Sequence, residues 1–229
     1  MNTKANIQTN TIDESLRQYM LKVYNYMAAG IGISGVVAYL ITTVPVLNEI
    51  FIGTFLFWIC LFAPLVMLLF FSKALYSGSP RAAQIWFWIF CALEGVGITA
   101  FTMQYTTESI FQIFFITAAM FAGISLWGYT TKRDLSGLGM FFMMALIGLI
   151  VAMIINIFVM NTMFGMLISS VAVLIFSGLI AYDTQLIKNQ YLEQGEVGNS
   201  AICGALSLYL DFLNLFIHLL ALFGVKLDD

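Results

Sequence analysis

Between Leu135 and Tyr182 the chain runs for 48 residues without a single Asp, Glu, Lys or Arg. A helix needs about 20 apolar residues to cross the hydrocarbon core of a bilayer. That run is therefore two spans and a tight turn, and Asn161-Thr162 is the natural corner. The 21 charges of the 229 residues divide the rest in the same way. Val23–Asn48, Ile50–Ser72 and Ser109–Thr131 carry no charge, Ala82–Thr107 carries only Glu94, and Val197–Val225 carries only Asp211. Seven spans are predicted, at about residues 24–44, 50–71, 82–103, 110–129, 137–159, 163–183 and 202–223. Apolar and polar residues do not alternate, which excludes a transmembrane β-barrel. The expected fold is an all-α polytopic membrane protein: residues 1–22 form a polar N-terminal segment and residues 23–229 a single transmembrane domain.

Composition agrees. With 61% hydrophobic and 9% charged residues, the chain holds far less charge than the roughly 25% of a soluble domain. A net charge of −3 leaves no basic footprint for nucleic acid. Cys60, Cys91 and Cys203 lie singly in apolar runs and read as small buried hydrophobes. The first 22 residues are polar and of mixed charge, unlike a cleaved signal. Thr11 with Asp13 and Glu14 reads as the N-cap and first turn of a short amphipathic lead-in helix.

Lysine and arginine set the expected orientation. With the N-terminus in the cytoplasm, Lys4, Arg17, Lys22, Lys73, Arg81, Lys132, Arg133 and Lys188 lie inside and only Lys226 lies outside. The C-terminus is then exterior.

Acids inside spans are costly, at about 2.5–3.5 kcal/mol for a central charge, and usually functional. Three occur here, Glu94, Asp183 and Asp211, with no base among them. Glu94 reads either as a protonated carboxyl bonded to a neighbouring helix or as part of an ion path. Asp183 sits near the end of span six, where it is interfacial or a partner of Asp211. Asp211 lies about nine residues into span seven, some ~14 Å deep. That span also has a polar stripe: Gly204, Ser207, Asp211, Asn214 and His218, spaced 3, 4, 3 and 4, share one helical face. Such a stripe cannot face lipid. It is either helix–helix glue or the lining of an ion path, and a carboxylate at mid-depth leans towards the second. The turn between spans six and seven centres on Gly195-Glu-Val-Gly198, and Val197 is 14 residues from each aspartate. Two helices running straight to that turn would bring Asp183 and Asp211 to one depth.

Ala181-Tyr-Asp183-Thr-Gln185, together with Leu208-Tyr-Leu-Asp211-Phe-Leu-Asn214-Leu-Phe216, resembles the Bax-inhibitor family. Tyr19-Met-Leu-Lys-Val-Tyr-Asn-Tyr-Met27 and Gly128-Tyr-Thr-Thr-Lys-Arg-Asp-Leu-Ser-Gly137 fit as well. The similarity covers nearly the whole chain, most closely the bacterial branch. It implies seven helices with the C-terminal seventh central, and a pH-sensitive calcium leak gated by an aspartate pair corresponding to Asp183 and Asp211. It also implies a basic latch at the cytoplasmic end of span two, for which Lys73 is the nearest candidate and Arg81 the next. Bacterial members are further linked to modulation of a membrane-bound quality-control protease, for which Met1–Lys22 would be the contact.

The chemistry of such a pair is that of a proton sensor. Two carboxylates a few ångström apart in a low dielectric do not both ionise easily, so the pair holds one proton near neutral pH. Calcium, a hard cation, competes for the same oxygens, and two acids alone make a weak, transient site. No cofactor fingerprint, zinc motif or nucleophile–base pair points to an enzyme. The competing expectations are a proton-coupled transporter using Asn156 and Asn214, an intramembrane aspartyl protease, and a regulator without transport. Expected partners are the lipid bilayer, calcium ions, protons and that protease, in the bacterial cytoplasmic membrane.

Overall fold

The computed structural model describes residues 2–77 and 79–227, with side chains for residues 13–69 and 79–227. Its regular elements are helical: α1 Asn2–Thr43, α2 Pro45–Phe51, α3 Phe55–Ser77, α4 Pro80–Thr102, α5 Thr107–Thr130, a 3-10 turn Ser136–Leu138, α6 Gly139–Val159, α7 Thr162–Gln194 and α8 Ser200–Phe223. An isolated antiparallel bridge joins Tyr105 to Lys226.

Most boundaries follow from local chemistry. Pro45 and Pro80 open α2 and α4, where a missing N–H costs nothing. Thr106 caps α5 by accepting from the Ser109 N–H. At the predicted corner, Met160 takes a left-handed backbone (φ 51°) and the Asn161 side chain accepts from the Phe164 N–H at 2.9 Å. At the other predicted turn, Gly195 (φ 70°) and Gly198 (φ 55°) adopt conformations that cost glycine little.

Two expectations need correction. The lead-in helix does not start at Thr11, because α1 is continuous from Asn2 through the first span. Neither glycine nor proline occurs from Asn2 to Ala29, so nothing breaks the helix. The second span, expected as one helix over 50–71, is instead α2 and α3, bent by 74°. Ile52 is extended and Gly53 has a φ of 75°, so the ladder stops inside the apolar run. Six helices among the described residues are long and apolar enough to span, and a seventh span exists if the bent pair is counted as one.

The chain divides into two compact units: residues 1–99 with 187–209, and residues 100–186 with 210–229. In lipid, apolar burial does not drive helices together; close approach and interhelical hydrogen bonds do. Both devices occur in each unit. In the first, a Cβ at Gly95 would stand 2.7 Å from the Ser34 carbonyl oxygen, and one at Gly30 2.8 Å from the Cys91 Sγ. There the buried Ser34 hydroxyl meets the Tyr209 hydroxyl at 2.6 Å and donates to the Cys91 carbonyl at 2.7 Å. In the second, a Cβ at Gly128 would lie 2.5 Å from the Ala181 carbonyl oxygen, and Ser125 pairs with Thr184 at 2.9 Å. Helix α8 contributes to both units. Of its most apolar 18 residues 61% are buried, against 11% in α6, so it behaves as a core helix and α6 as a peripheral one.

Candidate functional site

Helix α7 extends eleven residues past Asp183 to Gln194, and α8 reaches Asp211 eleven residues after Ser200. At 1.5 Å per residue both carboxylates lie about 16 Å from the turn. Both belong to the second unit. Asp183 is close enough to Asp211 for the two carboxyls to interact electrostatically.

The α7 side of the site is held by its neighbours on α5. Ala181 packs its backbone against Gly128. Thr184, fully buried, donates to the Ile180 carbonyl at 2.6 Å and pairs with Ser125. Gln185, also buried, accepts from the Leu135 N–H at 2.7 Å and donates to the Arg133 carbonyl at 2.8 Å. Residues 181, 184 and 185 share a face, and Asp183 points about 100° round from Thr184. The wall behind Asp183 is thus fixed while its half-buried carboxyl is directed elsewhere.

On α8, Asp211 is 6% exposed, and its Oδ2 atom has no hydrogen-bond partner among the described residues. Its neighbour Phe212 sets edge-to-face contacts with Phe114 and Phe121 at 5.7 and 5.8 Å, which gives the site an apolar wall. A buried carboxyl oxygen without a partner is expensive.

The remaining predicted residues scatter. Asn214 donates to the Leu210 carbonyl of its own helix at 2.8 Å. His218 meets Ser169 through Nδ1 at 3.3 Å and stacks on Phe176, 6.0 Å between ring centres. These two join Asp211 in the second unit. Ser207 and Glu94, both half-buried, belong to the first unit, as does Gly204, which abuts Ile187. Arg81 is exposed at the start of α4, and the ion pairs among the described residues, Arg17–Glu14 and Lys22–Glu196, do not involve it. The Lys73 side chain lies outside the described residues.

Sequence reasoning did not single out Gln185, Thr184, Ser125, Ser34 or Tyr209. Thr184 and Gln185 sit inside the motif that carries Asp183, and Ser34 stands four residues after Gly30 in a small-xxx-small pattern. The pairing of each across helices had no signal in one sequence. Among the described residues no group of three or more His, Cys, Asp or Glu could hold a metal, so the aspartate pair brings two carboxylates and no third such ligand. It can share a proton or hold a hard cation loosely.

Comparison with known proteins widens the frame. The family described as "inhibitor of apoptosis-promoting Bax1" matches residues 16–228. An uncharacterized protein of Caulobacter vibrioides is 42% identical, covering 93% of this chain and 91% of its own length. An uncharacterized protein of Rickettsia prowazekii is 41% identical over 96% of this chain and 95% of its own. The inner membrane protein YbhL of Escherichia coli is 36% identical over 91% of this chain and 92% of its own.

Proposed function

Since the chain belongs to the family of Bax inhibitors, we propose that it is a pH-sensitive cation leak of the bacterial inner membrane, permeable to calcium and gated by Asp183 and Asp211. The observation that carries this reading is the buried Asp211 Oδ2, left without a hydrogen-bond partner within reach of the Asp183 charge. With one shared proton the pair is a single negative charge. A second proton neutralises it, and loss of the shared proton leaves two charges that must separate or bind a cation. Calcium competes for the same oxygens, so proton occupancy and ion passage are linked. Two carboxylates bind calcium weakly enough to release it, as a leak requires. The protein works without cofactor or enzymatic turnover. Its N-terminus is cytoplasmic and its C-terminus exterior, a reading supported by the eight-to-one asymmetry of basic residues. The inner-membrane location is supported by the name of the Escherichia coli relative.

The test is calcium flux into dye-loaded liposomes across a pH series. Asp183→Asn and Asp211→Asn keep size but remove one titrating group each. Either should shift or abolish the pH midpoint, and the two single variants should resemble the double variant, because the pair titrates as a unit. Wild-type flux with an unshifted profile in both folded single variants would remove the sensor reading. It would favour a regulator acting through Met1–Lys22 on a membrane protease.

A further inference from the structure

The second unit holds a groove that the aspartate pair does not use. It lies between α6 and the first half of α7, encloses about 540 Å³, and is lined by Phe141, Phe142, Gly148, Ile168 and Leu174 among others. Its origin is plain in the sequence. Ala145, Gly148 and Ala152, spaced 3 and 4, put small side chains on one face of α6, and all three line the groove. A Cβ at Gly148 would meet nothing within 4 Å. Along α6 the lining runs from Phe141 to Ala152, about 16 Å at 1.5 Å per residue. That is roughly half of a ~30 Å hydrocarbon core, the reach of one acyl chain in one leaflet.

The Phe141 end of the groove adjoins the loop between α5 and α6. Lys132 and Arg133 are exposed there, and the ion pairs among the described residues leave both out. The one acid of the loop, Asp134, is exposed as well, and its carboxylate accepts from the Ser136 N–H at 2.9 Å. Gln185 anchors the loop by the carbonyl of Arg133 and the N–H of Leu135, so the two basic residues are displayed from a fixed backbone. Trp127, in the last turn of α5, is 48% exposed, as expected of an indole at the headgroup level. Two basic residues on the loop that leads into a leaflet-length apolar groove are complementary to one ligand chemistry, a phosphate diester carrying acyl chains. A second protein helix would fill the groove but would leave the cationic pair unanswered.

We propose that the second unit binds an anionic phospholipid, its phosphate held by Lys132 and Arg133 and one acyl chain laid along the α6–α7 groove. A zwitterionic lipid brings an ammonium group to the same cationic pair and binds more weakly. The site stands independently of the leak reading, because none of its residues is placed in the aspartate pair.

The test uses the full chain purified in detergent, with lipid retention measured by native mass spectrometry. Phosphatidylglycerol and phosphatidylcholine of identical acyl chains are compared. One phosphatidylglycerol per chain should be retained in preference to phosphatidylcholine. Lys132→Ala with Arg133→Ala should weaken phosphatidylglycerol retention about 30-fold and erase the preference. Gly148→Leu, which enters open space, should abolish retention of both lipids with an unchanged melting temperature. Glycerol 3-phosphate, a headgroup without chains, should not compete. Equal retention of the two lipids by the wild-type chain overturns the proposal without any variant. So does undiminished retention in Gly148→Leu, or competition by glycerol 3-phosphate.

Discussion

Replacing Gln185 by leucine keeps the bulk of a buried side chain and removes both of its bonds to the α5–α6 loop. The Leu135 N–H then loses its acceptor inside a residue that is 7% exposed. An unsatisfied buried donor costs about 1–3 kcal/mol. The Arg133 carbonyl belongs to an exposed residue and finds water instead. The loop's opening equilibrium should therefore rise about 5- to 150-fold, the factor that corresponds to 1–3 kcal/mol. Lys132 and Arg133 make this loop a trypsin target, and cleavage that is slow relative to reclosing follows the open population. Limited trypsinolysis in micelles, read by mass spectrometry, should show cleavage after Lys132 and Arg133 accelerated by that factor, with cleavage after the exposed Lys226 as an internal reference. Cleavage of Gln185→Leu at the wild-type rate would refute the view that this side chain holds the loop.

Three further outcomes are expected. A topology reporter fused after Lys132 should read cytoplasmic and one after Asp229 exterior; a cytoplasmic reading at Asp229 would overturn the proposed orientation. Gly128→Ala forces a methyl group onto the Ala181 backbone and should cost at least about 1–3 kcal/mol, lowering the melting temperature by about 2–4 °C per kcal/mol, whereas Gly148→Ala should leave it unchanged. Lys22→Met removes the 2.6 Å ion pair with Glu196, whose side chains are 47% and 38% exposed; such a pair is worth about 0–1 kcal/mol, so any loss seen in thermal melts at low salt should disappear in about 1 M salt.

The charge-free runs of the sequence made the spans and both turns legible, because a charge in hydrocarbon is too costly to place casually. Asn161 and the Gly195–Gly198 pair were readable as corners for the same reason that they work as corners. The break at Ile52-Gly53 was not legible: an apolar run reports affinity for lipid and says nothing of the backbone angles inside it. The unbroken α1 was missed in the opposite way, since polar residues near the N-terminus mimic a separate helix start when nothing stops the helix behind them. The equal spacing of Asp183 and Asp211 from the turn between their helices was legible directly. The supports of Asp183 were not, because Gln185 meets backbone groups some fifty residues away. An amide that binds two backbone groups looks, in sequence, like any polar residue near a helix end.

Helix α8 also sets the order in which the molecule can be made. It is the last of the described helices to leave the ribosome, yet Ser200–Tyr209 belongs to one compact unit and Leu210–Phe223 to the other. Contacts among the earlier helices, such as Ser125 with Thr184 and Ser34 with the Cys91 carbonyl, can form first, but each unit still lacks its share of α8. Until α8 arrives, the Ser34 hydroxyl lacks Tyr209, and Phe114 and Phe121 lack Phe212. A nascent chain halted before Ser200 has both units incomplete. Translation of the final two dozen helical residues is the step that completes both.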